Sequence, residues 1–291
     1  MATFDAKRNA RFRELLGQPG ILSIPACTDA LSALILQRLG FNMITISGSG
    51  HIASMIGKPD TGLATATEVI DRARQIAQSV NIPVVADADT GYGNINNVRQ
   101  TVRGFEAAGV SGIHIEDQVM PKKLGSMAGV EVIDSREMTE KIQIACKSRN
   151  DPNFVIIART DAYAALGIDE VIHRCRLYAE AGADILYAHN ILKKDHLEKL
   201  SASIRDVPLL YDVVEPYATY SDKELEDMGF KIVYHGRATV LCQAKAVTDL
   251  WTYYREHGET AGFIDRMMSP QEWSSLIDND TELNIRDWLA R

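Results

Sequence analysis

Short apolar segments alternate with longer amphipathic segments along most of the chain, and this alternation limits the fold more than any other feature. Eight segments rich in valine and isoleucine have the length of strands, at 21–26, 43–47, 83–88, 112–116, 154–159, 184–188, 207–213 and 231–235. Several are apolar throughout, which is typical of parallel strands that are buried on both faces. Segments with helical spacing lie between them, at 67–80, 96–109, 135–149 and 169–182. The pattern predicts an α/β chain folded as a (β/α)8 TIM barrel, with an open doubly wound sheet as the alternative.

The length of the chain fits one barrel domain. It has 291 residues, and a complete barrel needs roughly 250. No segment rich in serine, glycine or proline divides the sequence into separate units. From about residue 239 to 291 only helical patterns follow, which predicts a C-terminal helical extension. That extension would dock on another subunit or cover its own barrel.

The composition argues against several classes of partner. A net charge of −8 disfavours a nucleic-acid-binding face. The four cysteines are widely spaced, as is typical of reduced thiols in a cytosolic protein. No signal peptide is recognisable, and no apolar segment approaches the roughly 18 residues that a membrane span needs. We therefore expect a cytoplasmic protein with a small-molecule ligand and with neither a nucleic-acid nor a membrane partner.

Carboxylates follow two neighbouring predicted strands, at the end where barrel enzymes carry their active sites. Asp87 and Asp89 are two positions apart on the predicted third strand, so they would point the same way and repel each other. Glu116 ends the next strand. A divalent cation would relieve the repulsion, because hard cations prefer carboxylate oxygens. The sequence predicts a Mg²⁺ site at these three residues, with Mn²⁺ as another fitting ion. The alternative is that the carboxylates cap helices or lie in solvent.

The segment Ser47-Gly48-Ser49-Gly50 follows the second predicted strand and is a candidate binding segment for the substrate. Backbone amides and hydroxyls of this kind can hold a carboxylate or a phosphate. The segment also imitates a dinucleotide-binding fingerprint. That alternative is disfavoured, because the segment follows the second strand and no suitable acidic residue ends the next one.

Arg159 and His189 follow the fifth and sixth predicted strands. Arg159 is a natural clamp for a substrate carboxylate, and its alternative role is a salt bridge to Asp161 or Glu116. His189 could be a catalytic acid or base, and its alternative is a hydrogen-bonded histidine at the rim. The remaining predicted substrate-binding residues are Asn190 and Glu215.

At these residues the chain resembles the isocitrate lyase / phosphoenolpyruvate mutase superfamily over roughly residues 10–250. The motifs that carry the resemblance are SGSG at 47–50, KPD at 58–60, DADTGYGN at 87–94, IEDQ at 115–118 and ARTDA at 158–162. The resemblance implies a barrel whose last helix is swapped between subunits, usually in a dimer of dimers. It also implies Mg²⁺ held by the three carboxylates named above, partly through water.

The resemblance further implies roles for individual residues. Ser47, Gly48 and Arg159 would hold the substrate carboxylate. Asp60 would lie on a mobile gating loop and contact the reacting groups. The chemistry shared by the superfamily is an enolate stabilised by the metal.

The sequence departs from the lyases where their activity is decided. Lyases carry a loop of the form Lys-Lys/Arg-Cys-Gly-His, whose cysteine is a general acid, whereas this chain has KKLGS at 122–126. Leu124 cannot donate a proton, and Ser126 replaces the histidine. His189 stands at a position where the lyases usually have glutamate and where the phosphonate branch has histidine. GNINN at 93–97 also resembles that branch, whereas the motifs around Arg159 and Asp117 resemble the lyases.

These observations predict a Mg²⁺-dependent lyase of the methylisocitrate lyase type with an altered catalytic loop. It would act on a small 2-oxo or 2-hydroxy (di)carboxylic acid, by retro-aldol cleavage or decarboxylation through a metal-stabilised enolate. Asp60, His189 or the ammonium of Lys122 or Lys123 would handle protons in place of the missing cysteine. One alternative is carbon–phosphorus chemistry of the phosphoenolpyruvate mutase or phosphonopyruvate hydrolase type. The other is a non-catalytic relative that binds a small acid.

Overall fold

A computed structural model describes residues 6–123, 129–214 and 220–278. Glu215, Leu124 and Ser126, which were singled out above, lie outside the described residues. The strands are β1 (Leu22–Cys27), β2 (Ile44–Ile46), β3 (Val84–Asp87), β4 (Gly112–Glu116), β5 (Val155–Thr160), β6 (Ile185–Ala188), β7 (Leu209–Val213) and β8 (Ile232–His235). The helices are α1 (Ala6–Gly17), α2 (Ala30–Arg38), α3 (Gly48–Ile56), α4 (Ala66–Ser79), α5 (Ile95–Ala108), α6 (Ser135–Ser148), α7 (Tyr163–Glu180), α8 (Lys194–Ser203), α9 (Asp222–Asp227), α10 (Ala238–His257) and α11 (Pro270–Leu276).

The eight strands form a closed barrel in chain order. Each strand pairs in parallel with the next, and β1 pairs with β8 from Leu22 opposite Ile232 to Pro25 opposite His235. This closure confirms the predicted barrel and rules out the open sheet. The strands match the predicted segments, with their ends shifted by no more than two residues.

Alternate residues of each strand face the barrel interior, and the others face the surrounding helices. The interior set includes Val85, Val155 and Ile232, and α1 adds Phe12 to it from the N-terminal end. Phe12 is fully buried. The aromatic side chain of α1 therefore closes the N-terminal end of the barrel. Because all the strands are parallel, the polar residues at their C-terminal ends lie together at the opposite end.

The chain after β8 is helical as far as the structure describes it, which agrees with the predicted extension. It consists of α10, a 3-10 helix at Ala261–Arg266 and α11. Within the described part of this single chain, none of the residues of α10 is buried. Large apolar side chains on α10 are exposed, including Leu241, Val247, Trp251 and Tyr254. Among the described helices, none combines the length and the apolar character needed to cross a membrane.

Candidate active site

Most of the predicted site residues surround one small cavity at the C-terminal ends of the strands. Those that line it are Ser47, Gly48, Ser49, Asp60, Asp87, Glu116, Lys122, Lys123, Arg159 and His189. Of the other predicted residues that the structure describes, Asp89 and Asn190 do not line it. The cavity volume is about 70 Å³, and an ordered water needs roughly 10–15 Å³. The described walls therefore suit a small acid rather than a nucleotide-sized ligand.

Asp87 and Asp89 come together through a turn and not through strand alternation. The prediction placed both on one strand, but β3 ends at Asp87 and Asp89 has a left-handed φ of 49°. The backbone amide of Asp89 donates to Asp87 Oδ1 at 2.9 Å, which holds the turn closed. Asp60 joins them, and oxygens of these three carboxylates all lie within 4.8 Å of one another. The tightest acidic group thus contains Asp60 in place of the predicted Glu116.

Glu116 lies beside this group as a buried carboxylate with unused oxygens. It is 1% exposed, and neither carboxylate oxygen has a hydrogen-bond partner among the described residues. Its nearest cations are Arg159 Nη1 at 3.3 Å and Lys122 Nζ at 3.8 Å. Burial raises the pKa of Glu116 well above its usual range, even though both cations oppose that rise. The two cations therefore do not fully offset the cost of burying the Glu116 carboxylate.

The ammonium of Lys122 is buried among the carboxylates. It lies 2.9 Å from Asp60 Oδ2 and also contacts Asp89 Oδ1. Burial alone would lower the pKa of Lys122, but Glu116 and the three aspartates raise it well above its usual range, so the ammonium keeps its charge. Burial still raises the pKa of Asp60 to about 6 despite the ammonium beside it.

A divalent cation fits this set of donors. Hard cations bind carboxylate oxygens, and four buried carboxylates meet here, those of Asp60, Asp87, Asp89 and Glu116. Lys122 contacts three of them, and Arg159 contacts Glu116. The unpartnered oxygens of Glu116 and the raised pKa of Asp60 both indicate that more positive charge would stabilise the site. The acidic cluster can therefore hold a metal ion.

The predicted Gly/Ser segment is the first turn of a helix rather than a loop. Ser47 is the N-cap of α3, whose first backbone hydrogen bond runs from His51 N to Ser47 O at 3.0 Å. The amides before His51 are the unpaired donors of a helix N-terminus, where anions bind readily. A Cβ on Gly48 would overlap Asp87 Oδ2 and lie 2.6 Å from Asp60 Oδ2. Glycine is therefore required for the carboxylates to approach the helix.

Arg159 forms the salt bridges that were the alternative to a substrate clamp. Its Nε and Nη2 each donate to the Asp161 carboxylate at 2.8 Å, in a bidentate pair. Asp161 is held in turn by Asp117, whose Oδ1 accepts from Asp161 N at 2.9 Å. Because Arg159 also lines the cavity, its contact with a substrate carboxylate stays a prediction.

Asp212 is one of the cavity residues to which no role was assigned from the sequence. It lines the cavity at the end of β7, and its Oδ2 lies 3.3 Å from His189 Nε2. The other ring nitrogen of His189, Nδ1, lies 3.0 Å from Asp161 Oδ1. That contact is an ion pair whose direction does not meet hydrogen-bond geometry. The position of Asp212 at a strand end was the available signal, but its partner becomes visible only when the barrel is closed.

The chain is similar in sequence and in fold to known enzymes. Residues 12–252 match the family model described as phosphoenolpyruvate phosphomutase. The 2,3-dimethylmalate lyase of Eubacterium barkeri is 41% identical over 92% of this chain and 93% of that one. The chloroplastic carboxyvinyl-carboxyphosphonate phosphorylmutase of Arabidopsis thaliana is 37% identical over 97% of this chain and 85% of that one.

A solved structure shows the same fold. It is oxaloacetate acetylhydrolase in complex with the inhibitor 3,3-difluorooxalacetate, with a TM-score of 0.92 and 29% identity over 98% of both chains. The family match covers most of the chain, and the first of the relatives aligns over nearly its whole length. The chain therefore belongs to the phosphoenolpyruvate phosphomutase family, within the isocitrate lyase / phosphoenolpyruvate mutase superfamily that its motifs predicted.

Proposed function

We propose that this chain is a Mg²⁺-dependent lyase that cleaves a carbon–carbon bond in a small 2-oxo or 2-hydroxy dicarboxylic acid. The observation that carries the proposal is the group of four buried carboxylates, three of which contact the Lys122 ammonium, beside a helix N-terminus. The similarity to 2,3-dimethylmalate lyase and to oxaloacetate acetylhydrolase supports retro-aldol cleavage or hydrolysis next to a carbonyl carbon.

Asp87, Asp89 and Glu116 would hold the metal ion, with Mn²⁺ as a fitting substitute for Mg²⁺. When bound, the ion would supply electrostatic stabilisation of the negative charge that develops on the substrate. The amides that open α3, with the hydroxyls of Ser47 and Ser49, would bind a substrate carboxylate. Arg159, Asn190 and Glu215 stay predicted substrate-binding residues.

Asp60 and Lys122 are the groups best placed to move protons in this site. Burial brings the pKa of Asp60 to about 6, and an acid or base acts best when its pKa is near the working pH. Lys122 keeps its proton and lies 2.9 Å from Asp60 Oδ2, so it can stabilise the carboxylate form after a proton has left. The pair would take over the task of the cysteine that this loop lacks.

A substrate panel tests the proposal. Substituted malates, substituted citrates and oxaloacetate are incubated with the protein and Mg²⁺, with Mn²⁺, and after complete chelation, and released 2-oxo acids or oxalate are measured. We expect turnover that requires the metal and that is lost in Asp87→Asn. Asp169→Asn is the matched control, because Asp169 is exposed and pairs with Lys199 at the surface. Turnover that survives complete metal removal would refute the proposal.

Carbon–phosphorus chemistry is the second candidate. It is supported by the 37% identity to the phosphorylmutase and by His189 at the end of β6. Phosphorus NMR of phosphonopyruvate incubated with a high concentration of the metal-loaded protein tests it directly. A new phosphate or phosphate-ester signal would favour this candidate, and an unchanged spectrum would eliminate it.

We also propose a homo-oligomer, a dimer of dimers in which the C-terminal helical extension packs on a second copy. The support is the apolar surface of α10, where Val247 is 58% exposed and Trp251 is 53% exposed, since patches of this kind usually mark interfaces. Light scattering should show a tetramer that Val247→Glu dissociates and Glu256→Lys, on the same helix, does not. A monomeric wild-type protein would contradict this. A cytoplasmic location also stays a prediction.

A further inference from the structure

Charged side chains of alternating sign follow one another around the mouth of the barrel from the β4 side to β7. In order they are Lys122, Glu116, Arg159, Asp161, His189 and Asp212. The contacts between successive members are 3.8, 3.3, 2.8, 3.0 and 3.3 Å. Each cation in the row lies next to the carboxylates on either side of it, so the charge of every member depends on its neighbours.

His189 is the member of this row whose charge is open to change near neutral pH. Three charged groups face it: Arg159 and Asp161 from the β5 end, and Asp212 from β7. The Tyr187 ring meets it edge-on at 5.7 Å. Burial and Arg159 act to lower the pKa of His189, whereas the two carboxylates raise it and prevail. Both ring nitrogens lie near a carboxylate, Nδ1 3.0 Å from Asp161 Oδ1 and Nε2 3.3 Å from Asp212 Oδ2, and these two negative charges favour the protonated ring.

Asp212 is placed to face the ligand as well as the histidine. It lines the cavity, and its side chain is 13% exposed. On the side away from His189, a Cβ built on Gly236 would lie 3.0 Å from Asp212 Oδ1 and 3.8 Å from Ser47 Oγ. Asp212 and the helix N-terminus that would bind one substrate carboxylate therefore both border Gly236.

We propose that Asp212 is a positioning residue that, together with Asp161, holds His189 as an imidazolium ion at the β6–β7 side of the cavity. There the cation would meet the second carboxylate of the substrate, away from the acidic cluster. Because both ring nitrogens face protein carboxylates, His189 recognises charge instead of removing a proton, which differs from the acid–base role predicted from the sequence. The inference rests on the proposed function for the identity of the substrate, but not for the charge of His189.

The charge can be measured without any turnover. Hydrogen–deuterium exchange at the C2 carbon of each histidine, followed by mass spectrometry, gives the pKa of His189 in the intact oligomer. We expect a wild-type pKa above the usual histidine range and a fall of about one unit in Asp212→Asn, the size expected when one nearby opposite charge is removed. Asp212→Glu should recover most of the fall, and Asp169→Asn should cause none.

Two results would overturn the inference at this stage. One is a wild-type His189 pKa at or below the usual histidine range, which needs no variant to fold. The other is an unchanged pKa in Asp212→Asn. Neither depends on metal binding or catalysis, so a failure of the lyase proposal would leave this measurement interpretable.

Kinetics then test the role in recognition, on whichever dicarboxylic acid the panel identifies. In Asp212→Asn we expect KM to rise more than kcat falls. The loss of kcat/KM should be about tenfold larger above the wild-type His189 pKa than below the new one, since a fall of one pKa unit is a tenfold change in the protonated fraction there. A loss of the same size at every pH would show a merely structural role and would contradict the inference.

Discussion

The ammonium of Lys122 lies 2.9 Å from the carboxylate of Asp60, although 62 positions separate the two residues in the chain. Asp60 follows α3 and Lys122 follows β4, and both side chains are almost fully buried. The ion pair joins two segments above the strand ends and places a fixed positive charge among the carboxylates. In this position Lys122 contacts Asp89 and Glu116, two of the carboxylates that would bind a metal ion.

Replacing Lys122 with methionine should change stability and metal affinity in opposite directions. Removing one partner of a buried ion pair costs about 3 kcal/mol, so the thermal midpoint of the metal-free protein should fall. The site then lacks its internal cation, and Mn²⁺ should bind more tightly and raise the midpoint more than in wild type. Calorimetry and thermal denaturation with and without Mn²⁺ measure both effects.

Lys123→Met is the matched control for this variant. Lys123 is the neighbouring lysine and also lines the cavity, but its ammonium donates to the backbone oxygen of Gly129 and forms no salt bridge with a carboxylate among the described residues. It should leave Mn²⁺ affinity unchanged. Weaker Mn²⁺ binding in Lys122→Met than in Lys123→Met would show that the ammonium supports the metal and does not compete with it.

Glu116→Gln should weaken metal binding and change the stability of the metal-free protein little. The neutral amide avoids burying a charge whose oxygens have no hydrogen-bond partner among the described residues, but it also removes the charge that faces Arg159 Nη1 at 3.3 Å. Affinity for Mn²⁺ should fall by at least about tenfold, because even the hydrogen-bond partners of metal ligands are worth that much. A loss of affinity that comes with a lower thermal midpoint would point to damage of the fold and not to loss of a ligand.

Two glycines in the first turn of α3 provide a test of the close approach between helix and carboxylates. In Gly48→Ala the added methyl group meets Asp60 Oδ2 and Asp87 Oδ2, whereas in Gly50→Ala it meets Thr28 Cγ2 at an ordinary 3.4 Å. We expect Gly48→Ala to lose Mn²⁺ binding and Gly50→Ala to keep it. Equal losses in both variants would mean that helix geometry, and not the carboxylate contact, decides the outcome.

The fold was predictable because each strand had a strong local signal. The segment 112–116 was predicted with the bounds that β4 has, since its two isoleucines lie between Gly112 and the acidic pair Glu116 and Asp117. Asp87 and Glu116 were predictable as cavity residues for a related reason. Each is the last residue of a buried strand, and the ends of the strands surround the mouth of the barrel.

The contacts within the site were less predictable, because they join residues that are far apart in the chain. Asp60 was included through the resemblance alone, since its segment has no periodic pattern. The pairing of Asp212 with His189 requires the ends of β6 and β7 to be adjacent, which the closed barrel provides. The position of Asp89 depends on a left-handed φ, which the strand pattern did not indicate.

Metal binding should depend on pH through Asp60. Its pKa is raised to about 6 by burial, so the proton competes with the metal below that pH. Mn²⁺ affinity should weaken as the pH falls through 6, because Asp60 carries a negative charge only when it is deprotonated, and its oxygens lie within 4.8 Å of those of Asp87 and Asp89. Titration by electron paramagnetic resonance at several pH values measures this. Affinity that rises toward acid pH would contradict the prediction.

The raised pKa of Asp60 should have the opposite effect on the stability of the metal-free protein, which should fall as the pH rises. A carboxyl group whose pKa is higher in the folded state favours folding when it is protonated. Its contribution is therefore complete below the usual aspartate pKa and is lost as the pH rises through about 6. Asp60→Asn should remove this part of the pH dependence, and an unchanged dependence in that variant would assign it to another group.

Asp117 does not line the cavity, but we expect its replacement to affect both stability and KM. It is fully buried and accepts hydrogen bonds from Asp161 N at 2.9 Å and Tyr178 OH at 2.8 Å, and it pairs with Arg174 Nη1 at 3.0 Å. Through Asp161 it sets the position of Arg159. Asp117→Asn leaves Arg174 without this buried negative partner, and we expect a loss of about 3 kcal/mol in the free energy of unfolding.

Tyr178→Phe separates the charge of Asp117 from its hydrogen bonds. It removes one donor and keeps the ion pair, so the expected loss is about 1 kcal/mol. Because Asp161 N keeps its acceptor in this variant, turnover should change little, whereas Asp117→Asn should raise KM by loosening Arg159. Thermal denaturation and steady-state kinetics on both variants decide the matter. If Tyr178→Phe raises KM as much as Asp117→Asn does, the carboxylate of Asp117 is not what positions the arginine.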